Sequence, residues 1–511
     1  MTGRGVGVPI PDQANPGHMI IYAESGVQIG TGHIMRCLAL AQAWRRAEGT
    51  AEFMIPEASL GITQRIRAAG FQVGMLEPSG KDGVVIGQGK ACQLAVLDGY
   101  SFGRTEQDIF GRNGVPVLFL DDYGHAESYS ARWVLNQNSY ARPEMYSRRN
   151  GTTELLLGPE YALLREEFLP WMGWKRTIPE RATKILVTMG GSDAENASAR
   201  ILKCLSDLNQ PALDVVLVVG ASNPHWPALR RSIEQSQLRV RAVQNALDMP
   251  AQMAWADLTI AAAGGTSYEL CYMGLPSILI VAAENQRRVA ESLAELGIAT
   301  NAGPGGELDL DRLAKQLSDL LESSSRREQM SQKGRALVDG MGAERVRASA
   351  LGRGLWLRPL EEKDCELLFG WANDAVTRSA SFQPRQISWA EHTKWFAQKL
   401  HDPNSLFYVG QNVDGVAVGH VRFELESERA VLSINVAPEH RGKGWGRELI
   451  GFSVRSLIRN HPVTRVDALV KPGNYASVRL FQKSGFRQIG TKTIAGQPAL
   501  IFSWECKTDA N

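Results

Sequence analysis

Three short stretches combine residue types that could do chemistry. In Gln28-Ile29-Gly30-Thr31-Gly32-His33-Ile34-Met35-Arg36, two glycines precede a histidine, and an arginine follows three positions later. Gly30 and Gly32 remove side chains where a backbone turns closely past a ligand. A helix beginning here puts His33 near its N-terminus and Arg36 one turn on, on the same face. The positive end of a helix favours the neutral imidazole, the form that accepts a proton. A plain glycine-rich turn with a capping histidine has the same local pattern. In Gly264-Gly265-Thr266-Ser267-Tyr268-Glu269, the amides of Gly265, Thr266 and Ser267 could bind a diphosphate. Glu269 could accept from two ribose hydroxyls, or serve only as a first-turn helix carboxylate. Asn285 and Gln286 follow the next apolar run and could line the same cleft. The third stretch, Arg441-Gly442-Lys443-Gly444-Trp445-Gly446, comes after an apolar run ending at Val436 and before a helical pattern. A strand opening into such a loop offers a row of amides to a phosphate.

The elements that must position these residues alternate. Apolar runs at 19–23, 51–55, 94–98 and 115–121 predict strands, with helices over 34–47 and 62–69. A Pro- and Trp-bearing break over 168–184 precedes a second series of strands at 184–188, 214–219, 240–243, 257–262 and 276–281, with a helix from Ala194. This βαβ rhythm predicts two successive doubly wound parallel sheets. Leu308 to Met341 reads as largely helical. Composition narrows the classes. The 511 residues carry 56 basic and 54 acidic side chains, net +2, which gives no general reason to bind nucleic acid or an anionic membrane. No run approaches the ~18 apolar residues of a membrane span. The six cysteines form no metal-binding spacing, so no metal is expected, and free thiols suit a cytoplasmic protein.

The front motifs resemble a known family. Gly-x-Gly-His-x-x-Arg, with Leu97-Asp98-Gly99-Tyr100, Leu120-Asp121-Asp122, Asn136-Gln137-Asn138, Tyr161 to Phe168, Met189-Gly190-Gly191-Ser192-Asp193 and Glu284-Asn285-Gln286, is similar to the UDP-sugar hydrolases of pseudaminic acid biosynthesis. These are GT-B proteins related to the MurG glycosyltransferases. The resemblance implies that His33 is the general base for water attack at the anomeric carbon, with UDP leaving and inversion. It also implies that Arg165 and Glu269 contact substrate and nucleotide, and that Asp98, Tyr100 and Asn138 belong to the sugar pocket. Tyr22 and Glu24 stand where the family often has Arg and Asp, which removes one basic contact.

The back motif resembles the acetyl-CoA loop of GNAT-type N-acetyltransferases. A second signature follows at Asn474-Tyr475-Ala476-Ser477 through Gly485-Phe486. The resemblance implies an α+β domain in which Val436, Arg441 to Gly446, Asn474 and Ser477 hold acetyl-CoA. Phe481 occupies the position of the tyrosine that protonates the departing thiolate in many relatives, and it has no proton to give. His420, Glu424 and His440 are candidate bases. The expected layout is an extension over 1–18, two halves over 19–170 and 171–341, a linker over 342–354 and the acetyltransferase over 355–507. Together the two resemblances imply consecutive acetylation and UDP removal on one sugar. An inverting glycosyltransferase, or a non-catalytic UDP-sugar module serving the acetyltransferase, fits the same front motifs.

Overall fold

Near-continuous apolar runs such as Leu258–Ala262 and Ser277–Val281 are buried along their whole length, as parallel strands covered on both faces must be. A computed structural model describes residues 17–24, 31–55, 60–75, 92–171, 174–220, 223–236, 238–351, 355–412 and 415–505. The chain divides into two units, Met1–Ala350 and Leu351–Asn511.

The first unit holds two sheets. One comprises β1 (His18–Ala23), β2 (Thr50–Ile55), β3 (Gln72–Met75), β4 (Cys92–Asp98), β5 (Val117–Leu120), β6 (Trp133–Asn136) and β7 (Glu154–Leu157), in the order β3-β2-β1-β4-β5-β6-β7. The other comprises β8 (Lys184–Thr188), β9 (Asp214–Val219), β10 (Arg239–Gln244), β11 (Leu258–Ala262), β12 (Ser277–Val281) and β13 (Ala299–Pro304), in the order β10-β9-β8-β11-β12-β13. Every pairing in both sheets is parallel. Strand order reverses between β1 and β4 and again between β8 and β11, and such reversals open crevices at the carboxyl ends of the strands.

Three expectations need correction. Residues 1–16 lie outside the described residues, but His18 already belongs to β1. The helix expected from Ala194 begins at Ala197, because Asp193 and Asn196 take left-handed φ values of 47° and 53° and break the turn. The expected linker over 342–354 starts as helix Gly342–Ala350, which packs back on the first half through Arg46–Glu344 at 2.6 Å and Arg345 to the Glu160 carbonyl at 2.7 Å.

The second unit is a mixed sheet of β14 (Trp356–Pro359), β15 (Ser405–Gln411), β16 (Ala417–Glu426), β17 (Arg429–Val436), β18 (Arg465–Val470), β19 (Arg487–Ile494) and β20 (Gln497–Glu505), in the order β14-β15-β16-β17-β18-β20-β19. All pairs are antiparallel except β17 with β18. That parallel ladder covers only Arg429–Leu432 against Arg465–Ala468, while β17 stays paired with β16 as far as Val436. The sheet therefore splits between β17 and β18 beyond Leu432. Among the described residues no helix is long and apolar enough to cross a membrane, and no group of His, Cys, Asp or Glu is placed to hold a metal.

Candidate functional site

The reversal between β1 and β4 carries the first cluster. Ala23 pairs with Asp98 across these strands, and helix Gly32–Arg46 sets His33 in its first turn and Arg36 in the next, on the same face. Gly30 lies outside the described residues. His33 Nδ1 is 3.2 Å from Asp98 Oδ1 and 3.4 Å from the Asp98 carbonyl oxygen. Both are acceptors, so the ring proton belongs on Nδ1 and Nε2 keeps its lone pair. Tyr100 meets the imidazole edge-on at 4.9 Å. Thr31, Gly32, His33, Arg36 and Tyr100 line a cleft of about 670 Å³ whose other wall comes from the second sheet.

Asp98 does not lie in the sugar pocket expected for it. It is fully buried, and its carboxylate takes Arg36 Nε at 2.7 Å and Nη2 at 2.6 Å in a bidentate fork. Arg36 Nη1 reaches Asp122 Oδ1 at 2.7 Å, so this guanidinium is a clamp between two carboxylates. Asp122 also accepts from Asn138 Nδ2 at 3.0 Å and from the Tyr100 hydroxyl at 3.1 Å. Burial disfavours its charge, but Arg36 and Asn138 hold its pKa down at about 2. Two carboxylates against one guanidinium leave a surplus negative charge beneath His33. Glu24 supports this floor by accepting the amides of Tyr100 at 2.7 Å and Ser101 at 3.1 Å.

Three bonds tie the opposite wall to this floor. Asn285 Nδ2 donates to the Tyr100 hydroxyl at 2.7 Å, and the Tyr268 hydroxyl donates to Asn138 Oδ1 at 3.1 Å. Arg165 Nη2 donates to Glu269 Oε1 at 2.8 Å. Burial pushes the Glu269 pKa up against the opposing pull of Arg165. One Glu269 oxygen is thus committed to protein. Gln286 Oε1 accepts the Ala282 amide at 3.0 Å, which fixes the loop after β12. Gly265 and Thr266 line the cleft, and their amides donate no hydrogen bond among the described residues. The three-amide cradle expected here loses a member. The Ser267 amide returns to the Gly264 carbonyl at 2.9 Å, and the residue is buried behind the wall. Sequence reasoning left Asp122 and Gly220 out of the site. A Cβ on Gly220 would stand 2.2 Å from the Gly191 carbonyl, and one on Gly191 would stand 2.9 Å from Thr31 Cγ2. The carboxylate doublet after β5 and the glycine pair after β8 were the available signals.

In the second unit, Gly442 and Gly444 have φ of 74° and 90°, and helix Trp445–Asn460 begins directly after them. The amides from 442 to 446 donate no hydrogen bond among the described residues. Other expected contacts are redirected. Arg441 turns its guanidinium to Asp374 at 2.7 Å, the Thr377 hydroxyl at 2.9 Å and the Val436 carbonyl at 3.2 Å. Gly446 is a packing position, since a Cβ there would meet Leu480 at 3.0 Å. Trp445 packs on the core. Asn474 Oδ1 caps the following helix through the Ser477 amide at 3.1 Å. Lys443 is exposed. Phe481 is buried against Phe486 and Phe502. Of the candidate bases, Glu424 is committed to Lys399 at 2.8 Å and Arg422 at 3.0 Å. His420 stacks on Trp371, its Nδ1 has no partner, and burial, then Arg422, push its pKa down to about 3. For His440, the structure shows only its amide bonded to the Ala437 carbonyl.

Residues 184–343 match the glycosyltransferase family 28 C-terminal domain, and residues 354–487 match the acetyltransferase (GNAT) domain. The chain is a fusion of these two kinds of domain. A spore coat polysaccharide biosynthesis protein of Bacillus subtilis, SpsG, is 29% identical over 233 residues, 45% of this chain and 68% of that one. An uncharacterized protein of Methanocaldococcus jannaschii is 21% identical over 489 residues and covers 92% of this chain and 96% of its own. The UDP-2,4-diacetamido-2,4,6-trideoxy-beta-L-altropyranose hydrolase of Campylobacter jejuni is 25% identical over 222 residues, 42% of this chain and 73% of that one.

Proposed function

We propose that the chain is a bifunctional nucleotide-sugar enzyme acting twice on one substrate. Its second unit transfers acetyl from acetyl-CoA to the 4-amino group of a UDP-4-amino-4,6-dideoxy-N-acetyl-β-L-altrosamine. Its first unit then removes UDP from the diacetamido product with inversion at the anomeric carbon. The likeness to the Campylobacter jejuni hydrolase supports the second of these steps, and the GNAT match supports the first.

The observation that carries the hydrolytic reading is His33, anchored through Nδ1 on Asp98 in the wall of a cleft that is also lined by Gly265 and Thr266. Water attacks the anomeric carbon as its proton passes to His33 Nε2. The carbon–oxygen bond to UDP breaks with its electron pair, and the amides of Gly265 and Thr266 receive the developing diphosphate charge. General-base assistance of this kind contributes ~10²–10⁴-fold. Tyr100 and Asn138 border the space left for the sugar, and Glu269 retains one oxygen for the nucleotide ribose. In the second unit the coenzyme diphosphate lies on the amides from 442 to 446, and the pantetheine enters the split between β17 and β18. The amine nitrogen bonds to the acetyl carbon, the carbon–sulfur bond breaks, and the amine's surplus proton satisfies the thiolate.

Mass spectrometry of products from the UDP-amino sugar incubated with acetyl-CoA tests the whole reading. Stepwise appearance of the acetylated UDP-sugar, then free sugar and UDP, is expected. The family 28 match also favours glycosyl transfer as a second reading of the first unit. UDP release in the absence of any acceptor excludes that alternative.

A further inference from the structure

We infer that the Gln137 carboxamide donates to the diphosphate of the bound nucleotide sugar and joins the cradle that receives the leaving group. This deepens the hydrolytic reading of the first unit and rests on it. Gln137 directly follows β6, where side chains alternate between faces. Its neighbours turn to the floor, Asn136 Nδ2 to the Asp122 carbonyl and Asn138 Nδ2 to Asp122 Oδ1, both at 3.0 Å. Gln137 turns the other way, and its Oε1 accepts the Leu163 amide at 3.0 Å. A backbone amide only donates, so the atom facing it is the oxygen, and the NH₂ is left for another partner. The residue is 6% exposed and lines the cleft. Its Nε2 makes no hydrogen bond among the described residues and is not sealed from solvent, so it opens into that cleft.

Distances give this NH₂ a destination. A Cβ on Gly265 would stand 4.0 Å from Gln137 Nε2, and one on Gly264 would stand 3.6 Å from Gln286 Nε2. Gln286 is pinned in the same manner, its Oε1 taken by the Ala282 amide. Two carboxamides from opposite walls thus bring their NH₂ groups to one glycine turn. The turn itself offers donors. Its Gly264 and Gly265 carbonyls are taken by the Ser267 and Tyr268 amides at 2.9 and 3.1 Å, while the Gly265 and Thr266 amides are unspent among the described residues. A sugar hydroxyl brings a proton that needs an acceptor, whereas a phosphate oxygen only accepts.

The charged alternatives are committed. Arg36, Arg65 and Arg165 line the cleft, and they pair with Asp98 at 2.6 Å, Glu167 at 3.0 Å and Glu269 at 2.8 Å. Neutral N–H groups must therefore meet the diphosphate, and Gln137 supplies the donor that the turned-back Ser267 amide does not. When the bond from the anomeric carbon to the phosphate oxygen breaks, its electron pair stays on that oxygen and the proton of water passes to His33. A donor already fixed beside that oxygen gains strength as the charge grows.

The full chain is assayed for UDP release from the UDP-linked diacetamido sugar, with UDP and UMP binding measured by calorimetry. Gln137→Glu keeps an oxygen for the Leu163 amide and replaces the NH₂ by a second acceptor, while Gln137→Met removes both. Each should lower kcat about a hundredfold and weaken UDP about tenfold or more. UMP lacks the terminal phosphate and should bind within about twofold of wild type. Normal turnover by Gln137→Glu, with only Gln137→Met impaired, would make the residue a brace for Leu163 and overturn the proposal. A raised KM with UDP affinity unchanged would put the NH₂ on the sugar and overturn it as well. Should the buried carboxylate unfold Gln137→Glu, the contrast between UDP and UMP in Gln137→Met decides alone. A wild-type chain that releases no UDP overturns the hydrolytic reading itself.

Discussion

Replacing Asp98 by Asn keeps the shape of the strand end and removes one charge. Asn offers Arg36 one acceptor where Asp98 offers two, while Arg36 keeps Asp122 at 2.7 Å, so the clamp is weakened but not removed. What changes is the partner of His33 Nδ1. At 3.2 Å the Asp98 carboxylate stabilises a positive imidazolium by an upper figure of about 5 kcal/mol at an effective dielectric near 20. Arg36, 2.6 Å from the same oxygen, cancels part of that field, and Asp122 restores part. The remaining effect is set at about 2–3 kcal/mol, the range of a hydrogen bond to a charged group. That corresponds to a loss of roughly 30–150-fold in kcat for UDP release. The amide can also present its NH₂ to Nδ1, which would select the wrong tautomer and deepen the loss. Initial rates of UDP release and UDP affinity by calorimetry should be measured together. The expected pattern is a lower kcat with unchanged UDP affinity, in a variant whose thermal midpoint is lower but which stays folded at the assay temperature. A variant within about twofold of wild-type kcat would refute the claim that Asp98 positions His33.

Other consequences are equally direct. His33→Ala should abolish UDP release, with a loss of ~10²-fold or more, while calorimetry still detects UDP binding. Glu344 is held at a pKa of about 2 by Arg46 and Arg347 despite its burial, so its stabilisation is present above its unfolded value near 4.5 and is lost as pH falls towards 2. Glu344→Gln should therefore cost roughly 3 kcal/mol at neutral pH and flatten acid unfolding across that window, read from denaturant midpoints at several pH values. His420, with a pKa near 3, is buried neutral. The unfolded chain binds its proton first, so stability falls as pH drops from about 6.5 towards 3, and His420→Phe should remove that slope in the second unit. Gly220→Ala forces a Cβ to 2.2 Å from the Gly191 carbonyl, and should lower stability by about 1–3 kcal/mol and weaken UDP binding.

The alternation of fully buried apolar runs made the two parallel sheets legible, since strands such as β8 and β9 fall on their expected residues. Short or polar-interrupted strands were not legible. Gln72–Met75 and Glu154–Leu157 are strands because their neighbours supply the ladder, not because their pattern is strong. The residues of the site could be found in the sequence, but their partners could not. Nothing local distinguishes an Arg36 that meets a ligand from one clamped by Asp98 and Asp122, because those carboxylates are more than sixty residues away. The bonds of Arg441 were hidden for the same reason, its partners Asp374 and Thr377 being distant in the chain. The Ser267 amide was lost to a turn that forms only once Gly264 folds back on it.

Helix Gly342–Ala350 has a mechanical consequence. The backbone leaves the first half near Trp171, builds the second sheet, and returns at Gly342, where an added Cβ would stand 2.2 Å from the Ala162 carbonyl. Two crossings, not one, join the halves. A single crossing would let them swivel freely, whereas a pair defines a hinge axis that permits opening and resists twist. The return crossing ends in a helix held on the half that carries His33, through Arg46 and Glu344.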